Sequence, residues 1–131
     1  MSSGQRATLA ALADVLVPGG HGMPSASAAG IGSSGLDRVL AALPELLEPL
    51  QALADEAAGR HPQEVVASLL ESGEAGLLGI VVAGGYLTEP AIEALLGYGR
   101  REPRPVTDDL DDEVVSLLEP VLERGSIYRS V

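Results

Sequence analysis

Few residues in this 131-residue chain have the chemistry that catalysis requires. The chain contains no Cys, and its two histidines are His21, in a glycine-rich segment, and His61, before Pro62. A histidine that acts as a general base needs a nucleophile or an orienting carboxylate beside it, and neither has one adjacent in sequence. We therefore expect both histidines to be surface or loop residues, and an independent enzyme is the least favoured function.

A cluster of carboxylates lies near the carboxyl end, at Asp108, Asp109, Asp111, Asp112 and Glu113. Such clusters can bind Ca²⁺ or Mg²⁺, but this one lacks the central Gly and the distal Glu of an EF-hand loop. Carboxylates are also favoured at the start of a helix, where they face the positive end of its dipole. We favour this second interpretation, with a cation site as the alternative.

One basic cluster stands out because its residue types are enriched at protein interfaces. It consists of Arg100, Arg101 and Arg104 with Tyr98 beside them, and a smaller pair follows at Tyr128 and Arg129. The guanidinium group of Arg suits carboxylates on a partner. Pairing of these arginines with the nearby acidic cluster of the same chain is an equally good interpretation.

The composition excludes several functional classes. Eight arginines and no Lys stand against 19 acidic residues, which gives a net charge of −11. Such a chain repels phosphate backbones and anionic membranes, so we expect neither nucleic acid nor a membrane as partner. The amino-terminal segment lacks the pattern of a signal peptide or a twin-arginine signal, and no apolar run is long enough to cross a membrane. These features predict a cytoplasmic protein.

Apolar residues at helical spacing predict an all-α fold, a single compact bundle of six or seven short helices over residues 1–131. A capping box from Ser2 to Gln5 starts the first helix. A long Gly/Ser/Ala-rich loop follows over residues 18–35, in which Ser33 or Ser34 can cap the next helix. Pro49 is expected to kink a helix that begins near Pro44 and ends at Gly59.

The segment from Glu74 to Gly84 is apolar on every side, which predicts a buried central helix. Thr88 is expected to cap the next helix, which Gly97 closes. The last helix is expected to start at Thr107 or Asp108, with Pro120 kinking or dividing it. The residues expected to face inward include Leu70 of the helix that begins at Pro62, and Leu117, Leu118 and Leu122 of the last helix. The short helix after Thr88 carries Ile92, Leu95 and Leu96.

Several segments of the chain resemble the gluconate 2-dehydrogenase subunit 3 family. They are LAALADVLVPG and MPSASAAGI in the first half, and GGYLTEPAIEALLGYG, RPV and EPVLERGSIYR in the second. The positions that match the family's recurrent segments are Pro18, Pro24, Ala26, Tyr86, Pro90, Gly97, Tyr98 and Arg129. None of these is a catalytic residue in that family.

The resemblance implies a small accessory (gamma-type) subunit of a flavin-dependent oxidoreductase of the glucose–methanol–choline type, acting on sugars or sugar acids. In such a complex the catalytic subunit carries the FAD, and the small subunit helps it to mature, to remain stable or to be exported. The chain differs from many members in having no twin-arginine signal, and in having Gly99-Arg100 where they carry Pro-Gly.

We therefore expect a non-catalytic subunit or specific chaperone that itself binds no cofactor and no metal. The candidate contact residues are Met23, Pro24, Tyr86, Tyr98, Arg100, Arg101, Arg104, Tyr128 and Arg129. A free-standing α-helical protein that binds a small ligand or a metal is the alternative. Its pocket would be formed by the glycine-rich loop together with His21 and Met23.

Overall fold

A computed structural model gives the structure of residues 1–98 and 112–124. These residues form seven α-helices and no β-strand, which confirms the all-α prediction. The helices are α1 (Ser3–Leu16), α2 (Leu36–Ala42), α3 (Leu47–Ala57), α4 (Pro62–Ser72), α5 (Gly76–Gly85), α6 (Pro90–Leu95) and α7 (Asp112–Arg124). The chain divides into two compact units, Met1–Gly99 and Arg100–Val131, and the prediction of one domain stays a prediction.

Helix α1 begins at the predicted capping box. The Gln5 N–H donates to Ser2 Oγ at 3.2 Å, and the Ser2 N–H donates to Gln5 Oε1 at 2.9 Å. These two bonds satisfy amide groups that the first turn of a helix leaves without intrahelical partners. Leu9 and Leu12 bury one side of α1 in the core, and the helix ends just before Pro18, as predicted.

Pro44 and Pro49 lie in the first turns of helical segments, where a missing amide group costs no hydrogen bond. Pro44 begins a short 3₁₀ turn, Pro44–Leu46, which leads directly into α3. Pro49 lies in the first turn of α3, whose amide groups have no intrahelical acceptor in any case. The predicted end at Gly59, whose φ is +76°, is confirmed, and the kink at Pro49 stays a prediction.

The loop between α1 and α2 packs into the core. Ala26 and Ile31 are completely buried, and the Ile31 N–H donates to the Ala26 carbonyl oxygen at 3.1 Å. The loop ends in a π-helical turn, Ile31–Gly35, that runs directly into α2. No side chain caps α2, so the expected capping by Ser33 or Ser34 was wrong; the Ser33 hydroxyl donates to the Gly30 carbonyl oxygen instead.

Helix α5 contacts the start of α2 through glycine backbone. A Cβ added at Gly35 would lie 3.1 Å from the Gly85 carbonyl oxygen, and one added at Gly84 would lie 3.0 Å from Val39 Cγ2. Side chains at these positions would hold the two helices further apart. The glycines therefore set the distance between α2 and α5.

The second unit is described by α7 alone. This helix continues through Pro120, and Leu117, Leu118 and Leu122 are exposed, although they were expected to face inward. A single helix of 13 residues cannot bury its own apolar side chains. The expected starts of this helix, Thr107 and Asp108, lie outside the described residues.

The glycine contact makes a prediction about stability. Gly35→Ala is expected to lower the free energy of unfolding by about 1–3 kcal/mol, because the new methyl group overpacks against the Gly85 carbonyl. Gly35 has a helical φ of −61°, so the effect arises from packing rather than from the backbone dihedral. In the control, Gly79→Ala, the methyl group meets nothing within 4 Å, and we expect a gain of about 0.5–1 kcal/mol. Urea denaturation measures both, and effects of the same sign would contradict the prediction.

Candidate functional site

One side of helix α5 is left uncovered by the residues that the structure describes. Leu78 and Val81 are completely buried, but Gly76, Gly79, Ile80 and Ala83 are exposed. These four residues follow helical spacing, so they share one side of the helix, which we call the open face. The prediction of a helix buried on every side was therefore wrong, because the described helices cover only the opposite side.

Large apolar side chains are exposed in the segment that follows α5. We call Leu87, Leu95, Leu96 and Tyr98 the exposed segment; Leu95 is 58% exposed and Tyr98 71%. Helix α6 is short, and Ile92 is its only buried residue, so Leu95 and Leu96 are left exposed. The predicted end of α6 at Gly97, with φ at +75°, is confirmed.

Leu70, at the end of α4, is exposed as well. It is 59% exposed although it was expected to face inward, whereas Val65 and Val66 of the same helix are buried. The predicted end of α4 at Gly73 is confirmed by its left-handed φ of +79°.

Arg38 of α2 holds the corner between α5 and α6. Its Nη2 donates to the Gly85 carbonyl oxygen and to Glu89 Oε2, both at 2.8 Å, and its Nε donates to Thr88 Oγ1 at 3.2 Å. The Thr88 hydroxyl itself donates to the Gly84 carbonyl oxygen. Thr88 therefore binds the end of α5 and does not cap α6, whose N-cap residue is Glu89. These bonds fix the start of the exposed segment on the body of the first unit.

The region that contains α5 is uncharged in a very acidic chain. No charged residue occurs from Ala75 to Thr88, and the next carboxylate, Glu89, is paired with Arg38. Ile80 and Leu87 are exposed in this stretch, and Leu95, Leu96 and Tyr98 soon after it. Exposed large apolar side chains are typical of protein–protein contacts. This region is the candidate functional site.

Two candidate contact residues, Pro24 and Tyr86, contact each other within the fold. Tyr86 is only 4% exposed, and its hydroxyl donates to the Pro24 carbonyl oxygen at 2.8 Å. This bond ties the loop to the end of α5. Met23, the third candidate in this region, is half-buried and packs against the core.

His21 lies at the tip of a tight turn in the same loop. The backbone groups of Gly20 and Met23 exchange two hydrogen bonds of 2.9 Å, and His21 and Gly22 between them both have positive φ. His21 is exposed, as is His61, which is the N-cap residue of α4. Both histidines thus lie at the surface or in a loop, as expected.

Asp14 anchors the middle of the loop to α1. Its carboxylate accepts the Ser27 N–H at 2.7 Å and the Ser27 hydroxyl at 2.6 Å. Partial burial is the largest single influence and raises the pKa of Asp14, but the hydrogen bonds from Ser27 and Ser25 together outweigh it. The net result is a pKa below the ordinary value for Asp, because donors stabilise the charged form.

A shallow depression of about 320 Å³ opens beside α1. Arg6 at its rim is already occupied, because it donates to Asp37 at 2.6 Å and to the carbonyl oxygens of Gly32 and Ser33. The pocket predicted for a ligand-binding protein involves other residues, since neither His21 nor Met23 lines this depression. Its lining consists of Ser3, Arg6, Ala7, Ala10, Ser27, Gly32 and Ser33.

The remaining candidates lie outside the described residues. They are Arg100, Arg101, Arg104, Tyr128 and Arg129, together with Asp108, Asp109 and Asp111 of the acidic cluster. Asp112 and Glu113 begin α7. Among the residues that the structure describes, no group of three His, Asp or Glu side chains could hold a metal ion.

The Asp14 anchor predicts a dependence of stability on pH. Its pKa is lowered in the folded state, so its contribution is present above the ordinary carboxyl pKa and is lost as the pH falls through the folded value. Ser27→Ala is expected to reduce the free energy of unfolding by about 1 kcal/mol near pH 7. In urea denaturation that difference should shrink as the pH falls below the ordinary carboxyl pKa, because the carboxylate is then increasingly protonated. Ser68→Ala, on the exposed side of α4, is the control; a Ser27→Ala effect that did not change with pH would contradict the prediction.

No single helix in the described ranges is long and apolar enough to cross a membrane. Helices α4 and α5, bent by 115° at their junction, meet that test as a pair, by length and composition only.

Comparisons of the chain with protein-family models, with curated proteins and with solved structures give no match.

Proposed function

We propose that this chain is a non-catalytic accessory subunit that binds and stabilises a flavin-dependent oxidoreductase acting on sugars or sugar acids. One observation carries the proposal. The segment GGYLTEPAIEALLGYG, which resembles the gluconate 2-dehydrogenase subunit 3 family, is also the segment in which Leu87, Leu95, Leu96 and Tyr98 are exposed. The resemblance and the exposure thus point to the same stretch of chain.

The exposed segment has the chemistry of an interface. Tyr98 offers a large ring with a polar hydroxyl, which is a residue type enriched among the strongest contacts of interfaces. Leu87 and Leu95 provide apolar area that gains free energy when a partner removes it from water. Because Arg38 holds the corner at Glu89, binding requires little ordering of the backbone there, which favours affinity.

In this proposal the partner supplies both the FAD and the catalytic residues. The contribution of this chain is to cover apolar surface on the catalytic subunit and to hold that subunit in its folded form. A partner that binds only the folded state stabilises it by mass action. The proposal places both subunits in the cytoplasm.

Co-expression with a flavin-dependent oxidoreductase of the glucose–methanol–choline type from the same genome tests the proposal. We expect the two proteins to purify together, and the oxidoreductase to melt at a higher temperature and retain more FAD than when it is expressed alone. Purification of the oxidoreductase with full FAD content and without this chain bound would contradict the proposal.

Leu95→Ser with Tyr98→Ala tests the surface itself. Both side chains are largely exposed, so the fold is expected to survive, while the affinity for the oxidoreductase falls by at least about tenfold. Leu47→Ser, at the start of α3, is the control and should bind as the wild type does. Isothermal titration calorimetry gives the affinities, and equal values for all three proteins would rule out the exposed segment as the contact.

A further inference from the structure

Helix α5 contains four glycines, and only two of them have a structural role within the first unit. Gly84 contacts Val39, and Gly85 contacts the backbone of Gly35, so these two admit α2 at short distance. A Cβ added at Gly76 or Gly79 would meet nothing within 4 Å. Gly76 is the first residue of α5, but Gly79 lies in its interior, where an exposed glycine destabilises a helix. A residue that lowers stability without any compensating contact in the fold is expected at functional sites.

The open face consists of more than the two glycines. Ile80, 41% exposed, lies beside them, and Ala83 continues the same side of the helix. A helix that is apolar all round is normally buried on all sides, yet within residues 1–98 and 112–124 only one side of α5 is covered. The open face therefore has the composition of a buried surface, although none of the described residues packs against it.

Charge distinguishes the two ends of this face. Glu71 and Glu74 are exposed just before the amino end of α5, and the residues from Ala75 to Thr88 carry no charge. The ion pairs of the described arginines join Arg6 to Asp37, Arg38 to Glu89 and Arg60 to Glu56. Glu71, in the last turn of α4, and Glu74, two residues before Gly76 at the start of the open face, are thus carboxylates that no described arginine neutralises.

We propose that the open face of α5 binds an α-helix of the partner protein, oriented so that arginines or lysines of that helix lie against Glu71 and Glu74. The glycines admit a second backbone at short distance, as Gly84 and Gly85 do for α2, while Ile80 supplies the apolar contact. Charge complementarity then sets the direction of the bound helix. The inference rests on the proposed function, since it describes how the catalytic subunit is held.

A lipid surface fits these features less well than a helix does. Helices that lie in a membrane interface combine large side chains such as Leu, Phe and Trp with a polar face rich in Lys and Arg. The open face has Gly and Ala in the corresponding places, and the charges beside it are carboxylates, which anionic headgroups repel. Binding to vesicles is therefore an outcome of the test that would count against the proposal.

Gly79→Leu tests the close approach in the complex with the oxidoreductase. The new side chain projects into open space in the free protein, so the melting temperature should not fall, but it obstructs a second helix. We expect the affinity to drop by at least about tenfold. The control is Ala52→Leu, which also adds an exposed leucine, on α3. Equal affinity of the Gly79→Leu variant and the wild type overturns the inference while leaving the proposed function intact.

Reversal of charge tests the direction. The double variant Glu71→Arg with Glu74→Arg should weaken binding. The control, Glu45→Arg with Glu48→Arg, changes the net charge by the same amount in the 3₁₀ turn Pro44–Leu46 and in α3, and should leave binding unchanged. If both double variants behave alike, long-range attraction explains the effect and the inference fails.

A test without the oxidoreductase separates the two proposals. The ¹⁵N-labelled protein is titrated with a short helical peptide of alanine and leucine that carries arginines at one end, and then with the same peptide carrying glutamates instead. We expect shifts of the Gly76 and Gly79 amide signals with the arginine peptide alone. No shifts on α5, equal shifts with both peptides, or binding of phosphatidylcholine vesicles that Gly79→Leu abolishes would each overturn the inference, whatever the result with the oxidoreductase.

Discussion

Gly35 and Gly85 bring two backbones so close that neither position has room for a side chain. Arg38 lies one turn along α2 from Gly35, and this short distance lets its guanidinium reach both the Gly85 carbonyl and Glu89. The direction in which the chain leaves α5 thus depends on a contact between glycines. A wider spacing of α2 and α5 would separate Arg38 from its acceptors and release the start of the exposed segment.

The same contact also secures the loop before α2. Tyr86 follows Gly85 directly, and its buried hydroxyl bonds to the Pro24 carbonyl oxygen. Tyr86 is the one buried aromatic ring among the described residues, in a chain without Phe or Trp. A core of Leu, Val, Ile and Ala gains its packing from close helix approach rather than from large rings, which is why small residues occur where its elements cross.

Local features of the sequence predicted the ends of helices well. The capping box at Ser2 and the terminal glycines Gly59 and Gly73 act within a few residues of themselves, so their effect can be inferred without the fold. Thr88 was assigned to the wrong helix because its hydroxyl can bond either forward to an amide or back to the carbonyl four residues earlier. Only the position of α5 decides between these choices.

The candidate site was harder to predict, because apolar residues at helical spacing indicate a core. Tyr98 was found through its residue type, but Leu87, Leu95 and Ile80 were not, since periodicity does not reveal whether a second element covers a helix. The signal that could have found Ile80 and Leu87 is the uncharged run from Ala75 to Thr88, combined with glycines at positions 76 and 79.

The strong negative charge fits with an apolar surface that must not bind to copies of itself. Two chains that each carry −11 repel one another, and the repulsion opposes contact between their exposed leucines. A partner with basic groups beside its own apolar contact meets attraction instead, at Glu71 and Glu74 for example. In the proposed complex the acidic composition would serve specificity, because the same charges that hinder self-association favour a partner of opposite sign.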